Sequence, residues 1–136
     1  MTTTAAAPLP SMLATLCSYE SWFGPYHPQT LYLMTNVAVA FWQAGEPERA
    51  RPLLERVVRD VDHCLGREHD ARLGALAALR DLLVDQRDYD RAASIQRELL
   101  ECLILRLGSD HPETVRARAA HRAMLFDNLT QNSAAS

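Results

Sequence analysis

Gly24-Pro25-Tyr26-His27-Pro28-Gln29-Thr30 and Gly108-Ser109-Asp110-His111-Pro112-Glu113-Thr114 follow one pattern, Gly-x-x-His-Pro-x-Thr. Gly66-Arg67-Glu68-His69 stands midway between them, so that glycine and histidine recur every 42 residues. In this middle copy Asp70 and Arg72 replace the proline and the threonine. A fixed period of this length is the sequence signature of a repeat architecture.

Apolar residues keep the same register between these markers. Their spacing of three and four residues predicts helices that are buried along one side. Glycine favours the end of a helix and proline its first turn, so Gly45 followed by Pro47 predicts a tight corner between two antiparallel helices. The aligned positions are Ala50 with Ala92, Leu53 with Ile95, Val57 with Leu99, and Val61 with Leu103.

The pattern predicts an all-α fold of five to six helices without strands. We expect corners at residues 24–28, 44–47, 66–70, 87–89 and 108–112, with Asp88 and Asp110 as helix caps. The repeat domain should span residues 11–129, with repeats at about 24–65 and 66–107 and a partial repeat at 108–129. The small and polar segments 1–10 and 130–136 are predicted to be disordered tails.

The repeated segments resemble the 42-residue tetratricopeptide repeats of the kinesin light chain type. The residues that carry the resemblance are Leu107-Gly108 with the His-Pro-x-Thr element that follows, Tyr89-Asp90-Arg91-Ala92, and Ala50-Arg51-Pro52-Leu53-Leu54. The resemblance covers residues 11–129. It implies a right-handed α-solenoid of antiparallel helix pairs whose first helices line a concave groove.

The same resemblance assigns a set of side chains to the groove. Asn36 aligns with the asparagine that contacts the peptide backbone in repeats of this type, and Asp81 and Asp85 would favour a positively charged ligand segment. In the alternative interpretation, these side chains pack on neighbouring helices. The predicted partner-binding residues are Tyr32, Thr35, Asn36, Val39, Trp42, Asp81, Asp85 and Arg116.

One position departs from the repeat pattern. Ala38 occupies a site where small residues let neighbouring helices approach closely, but Arg80 and Arg122 stand there in the later copies. Arg122 is expected to face water on the last helix. Arg80 predicts either looser packing or a salt bridge with a nearby Asp or Glu.

Other classes of function find little support in the sequence. The net charge is −3, with Arg interleaved among Asp and Glu, which argues against a nucleic-acid binder. His27, His69 and His111 belong to separate corners, so we expect no metal site, and no cofactor or catalytic motif is found. No apolar run has the length of a membrane span, and scattered cysteines with no signal peptide predict a cytoplasmic protein.

The sequence therefore predicts a non-enzymatic module that binds another protein or a peptide in its groove, in a scaffold or adaptor role. The alternative is a self-associating structural domain or a piece of a larger repeat array. Two full repeats fall below the usual minimum of three for a stable stack, so a homo-oligomer is a second expectation.

Overall fold

The computed structural model describes residues 8–66 and 69–135 of the chain. This part is all-α, without a strand, as the repeat pattern predicts. The helix ends agree with the five predicted corners, and residues 67 and 68 of the third corner lie outside the described residues. The helices are α1 (Pro8–Phe23), α2 (Pro28–Gln43), α3 (Pro47–Cys64), α4 (Asp70–Asp85), α5 (Tyr89–Leu107) and α6 (Pro112–Ala135).

Each helix packs on the next one along the chain, and α2 also packs on α4. This arrangement is the stacking of helix pairs expected of a tetratricopeptide-type solenoid. Ala50 and Ala92, at equivalent positions of α3 and α5, are fully or almost fully buried. The core between the layers includes Leu31, Met34, Val37, Leu54, Val57, Val61, Leu76, Leu79, Leu82 and Leu83.

The corner between the two helices of a repeat requires a left-handed backbone. Gly45 supplies it in the first repeat with φ of 85°, and Arg87 takes the equivalent position in the second repeat with φ of 61°. Glycine adopts this conformation without strain, whereas a residue with a Cβ atom adopts it at a cost. The second repeat therefore has the same corner as the first, but with a less suitable residue.

The repeated histidines cap the first helix of each repeat. The Nδ1 atom of His27 accepts the backbone N–H of Gln29 at 3.1 Å, and Nδ1 of His111 accepts that of Glu113 at 3.2 Å. The corresponding bond of His69, to the N–H of Ala71, measures 3.0 Å. Each bond satisfies an amide that the helix itself leaves without a partner. The 42-residue recurrence of histidine thus has a structural cause.

The two predicted aspartate caps have different outcomes. Asp88 is the N-cap of α5, and its Oδ1 accepts the N–H of Arg91 at 3.5 Å. At the start of α6 the capping bond comes from His111, so the prediction for Asp110 was wrong. Asparagine, aspartate and serine are the usual caps, which is why the histidine was not predicted.

The outer helices extend beyond the predicted repeat domain. Residues 8–10 belong to α1 and residues 130–135 to α6, which differs from the predicted tails. Pro8 suits the first turn of α1. Beyond Pro112, α6 meets no glycine or proline, so each further residue adds a backbone hydrogen bond. The remaining tail predictions concern residues 1–7 and 136, which lie outside the described residues.

Candidate functional site

A hydrogen bond joins two of the predicted site residues across repeats. The indole N–H of Trp42, on the last turn of α2, donates to Oδ2 of Asp85 at 3.1 Å. Asp85 ends α4, the helix that packs beside α2. The bond fixes the orientation of the Trp42 ring, since a directed hydrogen bond adds to the packing of its apolar part.

Trp42 has features of both interpretations of the predicted groove residues, ligand binding and packing on neighbouring helices. The side chain packs against the core, yet it remains partly exposed. Tyr32, at the other end of α2, is exposed, and its ring centroid lies 6.3 Å from that of His69. Two aromatic side chains of α2 thus reach the protein surface near residues of the second repeat.

The other predicted residues of α2 differ in what they offer a ligand. Asn36 is exposed, while Val39 is half-buried. The Thr35 hydroxyl donates to the backbone carbonyl of Leu31 at 3.1 Å, so its proton is already engaged within the helix. Asn36 therefore offers the exposed amide of this helix, with Val39 contributing apolar surface beside it.

The acidic pair on α4 is partly neutralised. Asp81 forms an ion pair with Arg80 at 2.9 Å, and Asp85 accepts the Trp42 indole. The salt bridge predicted for Arg80 is confirmed. The carboxylates keep exposed oxygens, since both residues are exposed, but the field of Asp81 toward a ligand is reduced by its neighbour.

Arg80 also takes part in a buried polar network. Its Nη1 donates to Oε1 of Gln96 at 3.0 Å, and Nε2 of Gln96 donates to the Ala117 carbonyl at 3.0 Å. Gln96 is fully buried. The network links α4, α5 and α6, and it lets the second repeat hold a large cation where the first repeat has Ala38.

Arg116 lies apart from the residues of α2. It lines a cavity of about 320 Å3 between α4, α5 and α6, together with Arg80, Gln96 and Glu113. The structure thus brings Trp42 and Asp85 together, but it does not bring Arg116 to them. Any ligand that touches both regions has to extend across α4.

A buried arginine, Arg72, was not predicted from the sequence. Arg72 is almost fully buried, and its Nη2 donates to Oε1 of Glu98 at 3.1 Å, with Oδ1 of Asp62 at 3.8 Å from its Nε. It occupies the position held by the buried Thr30 and Thr114 in the other copies. The departure from the motif at this position was the available signal.

An aromatic cluster at the end of α1 was also missed. Phe23 stacks on His27 with ring centroids 4.8 Å apart and meets Tyr19 edge-on at 5.5 Å. Trp22 beside them is 83% exposed. Trp22, Phe23 and the exposed Tyr26 follow one another closely in the sequence, a pattern that could have indicated a surface patch.

The described residues show neither a metal cluster nor a membrane-spanning helix. Residues 8–66 and 69–135 hold no group of three His, Cys, Asp or Glu side chains that could bind a metal ion. Among the same residues, no helix combines the length and the apolar content that a membrane crossing requires.

Comparison with known proteins gives a match to one family model. No match was found among curated proteins. The family described as "Tetratricopeptide repeat" matches residues 30–70 and 75–113, which together make up more than half of the chain. These segments contain the predicted groove residues of α2 and α4 and most of the helix pairs α2–α3 and α4–α5. The chain therefore belongs to the tetratricopeptide repeat family, in its kinesin light chain type.

Proposed function

We propose that this chain binds a peptide or a helix of another protein in the groove beside α2 and α4, as a scaffold or adaptor. Tetratricopeptide repeats are generally protein-interaction modules, which supports a protein-binding function for this chain. The observation that carries the proposal is the Trp42–Asp85 hydrogen bond, at 3.1 Å. It holds a partly exposed indole in one orientation, as an anchor for a ligand side chain requires.

The roles of the groove residues follow from their surroundings. The exposed amide of Asn36 can both donate to and accept from a peptide backbone. Trp42 and Tyr32 offer apolar ring surface, and Val39 lies between them along α2. The free oxygens of Asp81 and Asp85 favour a ligand with a lysine or arginine near the end of the groove.

The role that we propose is non-catalytic, with no cofactor. We also propose a cytoplasmic location, because no disulfide joins the cysteines of the described residues, which suits a reducing compartment. Imaging of the tagged chain in cells tests this location directly.

The test uses capture of a partner from native lysate by the full chain. The double variant Asn36→Ala, Trp42→Ala should keep its helical circular dichroism and lose the partner, since loss of an anchor typically costs about 2 kcal/mol or more of binding free energy. Arg59→Ala, on the exposed side of α3, is the control and should bind normally. Wild-type capture by the double variant would contradict the proposal.

Self-association is a second candidate function. The observation in its favour is the exposed aromatic cluster of Trp22, Phe23 and Tyr26, because solvent-exposed aromatic patches are typical of interaction sites. Light scattering over a range of protein concentrations distinguishes the two functions. A dimer mass that returns to a monomer mass in Trp22→Ala would favour self-association through this cluster.

A further inference from the structure

The outward face of α6 carries a regular row of apolar residues with one cation at its centre. The row consists of Val115, Ala119, Arg122, Phe126 and Leu129, and we call it the α6 seam. Its spacing of four, three, four and three residues is the heptad spacing that places side chains along one line of a helix. Val115, Phe126 and Leu129 are 49%, 70% and 68% exposed.

This exposure distinguishes α6 from α2, the first helix of the first repeat. The opposite side of α6, with Thr114 and Ala117, is buried where α6 packs on α5. In α2 the residues equivalent to Val115 and Arg122 are Leu31 and Ala38, and both are fully buried.

The equivalence identifies what kind of element would cover the seam. In each complete repeat, the first helix packs on a second helix: α2 on α3, and α4 on α5. Within the described residues, α6 is the first helix of the third copy, and it leaves Val115 and Arg122 exposed at the corresponding positions. Ala119 and Phe126 align instead with Thr35 and Trp42 of the predicted groove. The shape that fits the seam is therefore another helix, with apolar side chains at three- and four-residue spacing.

The positive charge of Arg122 at the centre of the seam limits which helices can dock there. Arg80 stands at the position equivalent to Arg122, and there the second helix provides an acceptor, Oε1 of Gln96 at 3.0 Å. Arg122 has no ion pair with any described residue. A second copy of the chain packed antiparallel on the seam would place Arg122 opposite its own equivalent, and like charges in contact are unfavourable. The occupant should instead carry a carboxylate.

We propose that the α6 seam docks an amphipathic helix of a partner protein, with a glutamate or aspartate opposite Arg122. The apolar residues on either side supply the buried contact, and the ion pair fixes the register of the incoming helix. The seam lies on α6, whereas Asn36, Trp42 and Asp85 of the predicted groove lie on α2 and α4, so substitutions at the two places can be tested separately.

The probe is a labelled synthetic peptide with the sequence of residues 89–107, which is the second helix of a repeat. Two versions carry Gln96→Glu or Gln96→Lys, and binding to the full 136-residue chain is measured by fluorescence anisotropy. We expect the Glu version to bind roughly tenfold more tightly than the Lys version. Arg122→Glu in the protein should reverse this order, and Phe126→Ser, Leu129→Ser should abolish binding of both peptides.

Trp42→Ala is the control for the groove and should bind the Glu peptide as the wild-type chain does. Failure of both peptides to bind, or an order that Arg122→Glu leaves unchanged, would overturn the proposal. So would loss of binding in Trp42→Ala alone. Should the serine variant fail to fold, the Arg122→Glu reversal still decides. A dimer in solution that Phe126→Ser, Leu129→Ser dissociates would identify a second copy as the occupant, against the proposal.

Discussion

The network between Arg80, Gln96 and the Ala117 carbonyl gives the most informative substitution, Gln96→Leu. Leu54 stands at the equivalent position of the first repeat, opposite Ala38, and is fully buried. The substitution therefore installs a residue that the same fold accepts elsewhere. It removes the acceptor of the Arg80 hydrogen bond, at 3.0 Å, and the donor to Ala117, also at 3.0 Å.

The expected cost follows from what remains after the two bonds are lost. Arg80 keeps its ion pair with Asp81, and its side chain is 24% exposed, so water can replace part of the lost bond. A buried group left without its partner costs about 1–3 kcal/mol, and leucine regains some free energy through its apolar surface. We expect a net loss of about 1–2 kcal/mol in the free energy of unfolding.

The assay is urea unfolding followed by circular dichroism, and Arg80→Ala, Gln96→Leu is the matched control. This double variant reproduces the Ala38–Leu54 pair of the first repeat, and no cation remains to be satisfied. It should be at least as stable as Gln96→Leu alone, with a favourable coupling of about 1 kcal/mol. If Gln96→Leu were neutral or stabilising, the network would not stabilise the fold and the reasoning would be refuted.

Three pairs of substitutions test the corners, the core and a helix cap by thermal unfolding. Arg87→Gly should raise the free energy of unfolding by about 0.5–1 kcal/mol, whereas Gly45→Ala should lower it by about 1 kcal/mol. The reason is that both positions have a left-handed backbone, which glycine adopts without strain. Equal effects of the two substitutions would contradict this account. Ala50→Leu and Ala92→Leu should each cost about 1–3 kcal/mol by overpacking, and unchanged melting temperatures would show that the register is wrong. His111→Ala should cost about 1 kcal/mol while His111→Asn restores a cap, and equal stability of the two variants would argue against the capping bond.

Helix boundaries were predictable because they depend on local chemistry. Gly45 and Pro47 fix a corner through the backbone conformations that they allow, and the 42-residue period repeats that information. The caps were less predictable, since histidine is not a usual cap and Asp110 is one residue away from His111. The outcome at α6 depended on the direction in which the imidazole points, which the sequence does not specify.

Contacts between helices were only partly predictable. Arg80 at a usually small position predicted either looser packing or a salt bridge with a nearby Asp or Glu, and the structure identifies the partner as Asp81. The second acceptor, Gln96, lies 16 residues away and reaches Arg80 only through the packing of α4 on α5. Trp42 and Asp85 were both predicted for the groove, but their hydrogen bond depends on the offset between two stacked repeats.

The most direct test of groove binding observes the Trp42 side chain itself while a captured partner is added. In the Trp22→Phe chain, Trp42 is the single tryptophan, so one indole N–H resonance appears in a nitrogen–proton correlation spectrum. We predict that partner addition shifts this resonance, together with the side-chain amide of Asn36 and backbone amides of α2 and α4. Binding that leaves these signals in place and shifts only residues of α1 or α6 would contradict the proposed groove.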